Sequence, residues 1–370
     1  MKKLLIIVLF GCVCSFLLAD WTIVETPQVG DKWSLNAVSF PAADTGWAVG
    51  YDYSATGTTT TSYFGIILKY EGSEWMKEEI PQPSDHWSLF DVHFVSPEEG
   101  WAVGADLGNN SGALLHYING NWNVVEPPEV GYAWWQLYGV RFLNENEGWA
   151  VGGAKKDGAV LLHYHEGEWI DKTDYDLMGG HTLLTAFPIE GESLWTAGFK
   201  EGLLADISMG SHARGTWEIK GWEGAWEEVK QPLLEKNVIC EDYYFFDEDD
   251  GWKVGWMPAF QSAPDTGKLL KWNGKKWKKE KLDGPKGWTL RAIDFSDNKT
   301  GWAVGMNTKK DNGLIFEFKK GKWSMLKKKQ VPKIEGRWEL KDVNFDGSAT
   351  WWAIGANYSE DEGIILKYTK

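Results

Sequence analysis

Tryptophan is the residue whose number and spacing first invite a chemical reading: the 370-residue chain carries 25 of them. Trp33, Trp87, Trp135, Trp288 and Trp338 each stand 14 residues before another Trp, that of a recurring GWAVG-like string. His181 and Val238 hold the same place in two further copies, and Trp134 adjoins Trp135. Indoles grouped at one opening offer flat, rigid, amphipathic faces that suit sugar rings or the apolar side chains of a partner. Trp33, Trp87, Trp134, Trp135, His181, Trp288 and Trp338 are therefore the ligand-binding candidates. The competing reading is that these side chains cap strand ends and pack on their neighbours.

Other reactive types are thinly supplied. A sialidase needs an arginine cluster for the substrate carboxylate, yet the chain has only Arg141, Arg214, Arg291 and Arg337. A glycosidase needs two carboxylates facing each other across the substrate. Asp91, Asp294 and Asp342 are the few placed in inner-strand patterns. His163 and His165 share one strand face, but the sequence suggests no third ligand, and a zinc site needs three or four. The loops Asp106–Gly112 and Ser359–Gly363 offer oxygens for calcium without a defined ligand spacing. Neither a cofactor nor a metal is expected, and no residue is singled out as catalytic.

The elements that carry these residues follow from internal repetition. GWAVG occurs at Gly46–Gly50, Gly100–Gly104, Gly148–Gly152 and Gly301–Gly305. Variants stand at Leu194–Gly198, Gly251–Gly255 and Trp351–Gly355. The shared Trp recurs at 47, 101, 149, 195, 252, 302 and 352, giving a unit of about 50 residues. Each unit reads as four short strands. An alternating segment such as Leu35–Phe40 comes first, then an acidic turn, then GWAVG. A variable loop leads to a third strand opened by Gly65, Gly112, Gly267 or Gly363. A tight turn starts the fourth, which carries Trp75, Trp122, Trp169, Trp277 or Trp323. The last unit lacks its fourth strand, and the segment 20–32 has the pattern of that strand. The expected fold is an all-β, seven-bladed β-propeller of four-stranded blades, closed by the N-terminal strand pairing with the last blade. Residues 20–370 then form one domain, and the Trp residues of the second and fourth strands wedge between blades.

The units resemble the bacterial neuraminidase-type (BNR, Asp-box-like) repeat in the form found in the photosystem II assembly and stability factor family. The residues that carry the resemblance are V-x-F, an acidic turn, GWAVG, a loop, G-x-I-L and a turn ending in Trp, repeated over 33–368. The third turn departs from that family, with Y-x-G-x-W where T-x-D-G-G-x-T-W is common. The resemblance implies a rigid protein-binding or assembly platform.

Charge and targeting complete the picture. The formal net charge is -15, which excludes nucleic acid as the main partner. Residues 265–333 nevertheless hold 19 Lys and Arg against 7 Asp and Glu, a local balance of +12 that leaves -27 for the rest. Lys275, Lys276, Lys278, Lys279, Lys319, Lys320, Lys327 and Lys328 are the basic-patch candidates. They would dock an anionic surface, or keep outer strand edges from pairing with other sheets. Residues 1–19 read as a signal peptide: Lys2 and Lys3, an uncharged run from Leu4 to Ala19, and cleavage before Asp20. A lipobox reading at Cys12 would add a membrane anchor. The mature chain keeps Cys240 alone and forms no internal disulfide. The expectation is an exported, periplasmic or extracellular monomer. It would act as a non-catalytic platform for an envelope or extracellular protein. The alternatives are a lectin-like carbohydrate binder and, less favoured, a glycoside hydrolase.

Overall fold

The computed structural model describes residues 20–369 except 55–61, 155–156, 190–192, 201–215, 223–224, 230–237 and 259–263. The expected leader, Cys12 and Arg214 lie outside the described residues.

Every sheet is antiparallel and has the same plan. In the first, Trp33–Ala42, Thr45–Asp52, Phe64–Glu71 and Glu74–Lys77 pair in sequence order. The two inner strands are buried on both faces and read as apolar and small residues. The outermost alternates, as in Glu74–Lys77, where Trp75 alone is buried. The inner strands are bulged after their second or third residue, as between Leu137 and Gly139 or between Leu35 and Ala37. The extra residue bends the strand and increases its twist at the channel.

Among the described residues, six sheets are each complete from four strands consecutive in the chain. The remaining sheet is composite: Trp338–Phe345, Thr350–Asn357 and Glu362–Thr369, edged by Thr22–Ile23. This corrects the expected seven-bladed propeller closed by the N-terminal strand pairing with the last blade: six blades are complete from consecutive strands, and strand pairing does not by itself close the ring. Of the 20–32 segment Thr22 and Ile23 enter the ladder, opposite Lys367 and Leu366, and Val24 N donates one further bond to Ile365 O at 2.9 Å. A two-residue ladder is too short to seal a ring alone. The seam is held instead by Trp21, which is buried against Trp302 at 5.3 Å and Tyr368 at 5.7 Å.

That seam repeats a device found between the other sheets. The second-strand Trp of one sheet packs on the inner-strand Phe, third-strand aromatic and fourth-strand Trp of the next. Trp47 stacks on Phe94 at 3.6 Å and adjoins Tyr117, with Trp122 edge-on to that Phe94. Trp101 meets Phe142, Tyr164 and Trp169 in the same way. Above Trp47, Trp195, Trp252 and Trp352 sit the ammonium groups of Lys69, Lys220, Lys271 and Lys367, 4.8–5.5 Å from the rings. His116 and His163 stack at the corresponding place on Trp101 and Trp149. Each interface is thus a small aromatic core, covered by a lysine at four of them and by a stacked histidine at two, while Glu317 stands opposite Trp302.

Candidate functional site

The structure places the five candidate Trp inside the protein. Trp33, Trp87, Trp135, Trp288 and Trp338 are all at most 5% exposed, and His181 is buried with them. Trp134 is half-buried. The reason lies in the glycine that opens each third strand. A Cβ on Gly65 would stand 2.2 Å from the Trp87 ring, and one on Gly363 would stand 2.2 Å from Trp33. Gly112, Gly267 and Gly313 receive Trp135, Trp288 and Trp338 in the same fashion. The indole of one sheet packs against the glycine of the preceding sheet, and its burial leaves no exposed face for a sugar or a partner. The expected aromatic ring is therefore corrected to a set of wedges between sheets.

The inner-strand carboxylates are likewise occupied. Asp342 accepts from its own neighbour Val343 N at 2.7 Å and from Val38 N of the adjoining sheet at 2.8 Å. Asp91 does the same with Val92 N and Val140 N, and Asp242 with Tyr243 N and Ile293 N. Asp294 accepts from Phe295 N and Phe345 N. Each carboxylate closes the gap between two inner strands that do not pair directly, satisfying backbone donors that would otherwise be buried and unpaired. Burial pushes the Asp91 and Asp294 carboxyls up to about 7 and Asp242 to about 6, against the pull of the backbone N–H groups and Arg141. Burial also raises Asp342, and Asp242 and Asp91 add to the shift.

These shifts have a consequence for stability. An unfolded Asp titrates near 3.9. Between about pH 4 and pH 7 the native state keeps protons that the unfolded chain has released, so stability falls as pH rises through that window. Urea midpoints should be higher at pH 5.5 than at pH 8, and Asp294→Asn should flatten the slope. A midpoint that climbs with pH over this range would contradict the assignment.

Above the carboxylates the channel opens into a cavity of about 370 Å³. Its chemistry comes from one register position, three residues after the mouth Trp. There the inner strands present Asn36, Phe90, Tyr138, Glu241, Arg291 and Lys341. Arg291 pairs with Glu241 at 2.5 Å and approaches Glu339 at 3.9 Å, while the Trp256 ring lies 5.5 Å from the guanidinium. Burial opposes the Arg291 charge, but Glu241 and Glu339 overcome it and hold the group protonated. Trp256 Nε1 donates to Glu241 at 2.6 Å, and Tyr358 OH donates to Glu339. Lys341 Nζ donates to Ser34 Oγ at 2.8 Å and Asn36 Oδ1 at 3.0 Å, between the rings of Tyr51 and Tyr358. Burial, with Arg291 adding to it and Glu339 opposing, lowers Lys341 to about 8. The arrangement can bind polar and anionic groups at a mouth rimmed by aromatic rings. Glu241 and Glu339 both serve Arg291, so they do not form the independent acid and nucleophile that glycoside hydrolysis requires.

The basic-patch candidates lie elsewhere. Lys275, Lys276, Lys278, Lys279, Lys319, Lys320, Lys327 and Lys328 are exposed, along or beside the outer strands Trp277–Lys279 and Lys322–Met325. They flank edge strands, where lysine blocks sheet-to-sheet pairing. At the opposite end of the sheets from the channel mouth, the His163–His165 pair meets a carboxylate the sequence did not point to. Glu147, at the start of the neighbouring strand, contacts both rings.

No protein-family model matches the chain, and no curated protein does. Solved structures do resemble it. A structure described as YCF48 bound to D1 peptide superposes with a TM-score of 0.62 at 13% identity, covering 97% of this chain and 100% of that one. YCF48 from Cyanidioschyzon merolae gives 0.63 at 15%, covering 95% and 99%. A GH74 xyloglucanase from Xanthomonas campestris gives 0.59 at 10%, covering 91% of this chain and 53% of its own. At such identities the likeness speaks to the fold alone, and the fold is an all-β propeller.

Proposed function

We propose that this chain is an exported, non-catalytic propeller that binds a segment of a partner protein at its channel mouth. The observation that carries the reading is the Lys341 ammonium, held by Ser34 and Asn36 in an aromatic-rimmed cavity where Glu241 and Glu339 are taken up by Arg291 and the deeper carboxylates by backbone amides. A cation beside hydroxyl, amide and aromatic groups suits a peptide carboxylate or acidic side chain, with rings to cover the adjacent backbone. The likeness to a propeller described as bound to a peptide supports this reading. The xyloglucanase and a polysaccharide lyase among the similar structures are what the carbohydrate alternative rests on. Burial of the candidate Trp removes the stacking platform that favoured it.

The test is a random-peptide display selection on residues 20–370, counter-selected on a Lys341→Met variant, with a glycan array run beside it. Enriched peptides should carry a carboxylate and bind the variant weakly. A defined sugar class that binds while no peptide is enriched would replace the protein-partner reading by a lectin. Mass determination of the exported protein should find a chain starting at Asp20.

A further inference from the structure

The geometry points to a divalent transition-metal site, of the kind that takes Zn²⁺, formed by Glu147, His163 and His165. The three donor atoms lie within 4.8 Å of one another. His163 Nε2 stands 2.5 Å from Glu147 Oε1, and His165 Nδ1 stands 2.8 Å from Oε2. Two features of the fold create the cluster. His163 and His165 are two apart on the strand Gly158–His165, so their side chains leave the same face. Glu147 opens the paired strand Glu147–Ala154 directly opposite His165. His163 is further fixed by its ring, which stacks on Trp149 at 3.9 Å with planes 8° apart.

The next sheet along supplies an internal comparison. There Glu99 contacts His116 Nε2 at 2.6 Å, and His116 stacks on Trp101 at 4.0 Å, so one Glu–His pair is part of the ordinary interface. The residue opposite Glu99 is Ile118, where the Glu147 sheet has His165. The second histidine is the addition, and it converts a structural pair into a set of three ligands. The set is two imidazole nitrogens and one carboxylate oxygen, a borderline combination suited to Zn²⁺ rather than Ca²⁺ or Mg²⁺. Metal–ligand bonds of ~2.0–2.2 Å bring tetrahedral donors to about 3.4 Å apart. His165 is 53% exposed at its side chain, so it can swing that distance without moving the strand. A fourth position remains open to water or a partner's ligand. Metal ligands bind in their deprotonated forms, so uptake weakens in acid.

The experiment is a calorimetric Zn²⁺ titration of untagged residues 20–370, repeated for His165→Ile, Glu147→Gln and His116→Ala. His165→Ile installs the residue the adjoining sheet already tolerates, and circular dichroism checks that each variant is folded. The expected result is one equivalent bound by the native chain and by His116→Ala. Affinity should fall by ~10–100-fold or more in His165→Ile and Glu147→Gln. Co²⁺ should give tetrahedral absorption bands that vanish in His165→Ile. Absence of binding to the native chain, or equal binding in folded His165→Ile, would overturn the site.

Discussion

Replacing Trp338 with alanine is expected to lower stability by about 3–5 kcal/mol. The indole is 2% exposed and covers Gly313, where an added Cβ would stand 2.0 Å from its ring. Truncation opens a cavity between two sheets with nothing able to collapse into it, because the facing position has no side chain. Gly313→Ala should damage the same interface from the other side, since the ring has no room to retreat. Urea denaturation of both variants checks this. A Trp338→Ala protein as stable as the native chain, but deficient in ligand binding, would restore the indoles to the role of a binding surface.

The second large effect concerns Lys341. Its ammonium is charged below about pH 8 and lost above it, because burial and Arg291 disfavour the charge. A carboxylate-bearing peptide seated in the mouth should therefore weaken by about tenfold, or ~1.4 kcal/mol, between pH 7 and pH 9. Lys341→Met should show the weak affinity at both values and no pH dependence. Methionine keeps the apolar stem that lies between Tyr51 and Tyr358, so the loss reads the charge rather than the packing. An affinity unchanged by pH in the native chain would remove Lys341 from the site.

The propeller was legible because its signal is repeated. Period-two alternation, a turn and GWAVG or a variant of it recur from unit to unit, and the strands Trp33–Ala42, Thr45–Asp52 and Phe64–Glu71 fall where that pattern puts them. The seam was less legible. An N-terminal segment with the pattern of a fourth strand contributes two paired residues, and Trp21 closes the gap that pairing leaves. The role of the mouth Trp could have been read from the glycine that opens the third strand, for the two recur together, but only the register shows that one covers the other. The channel mouth had no repeated signal at all. One register position carries Asn36, Phe90, Tyr138, Leu184, Glu241, Arg291 and Lys341, a different chemistry from each sheet. Repetition reveals what the sheets share, and this site is made of what they do not. Glu147 was missed for a related reason: its contact with His163 and His165 crosses strands, and sequence spacing sees only one strand at a time.

Photo-crosslinking of the selected peptide tests the channel mouth most directly. Benzoylphenylalanine would replace Tyr138 inside the cavity in one protein and Lys278 on the outer edge in another. The account predicts a peptide adduct at position 138 that free peptide competes away, and none at 278. Adducts at 278 with none at 138 would contradict it and place the partner on the lysine-rich edge.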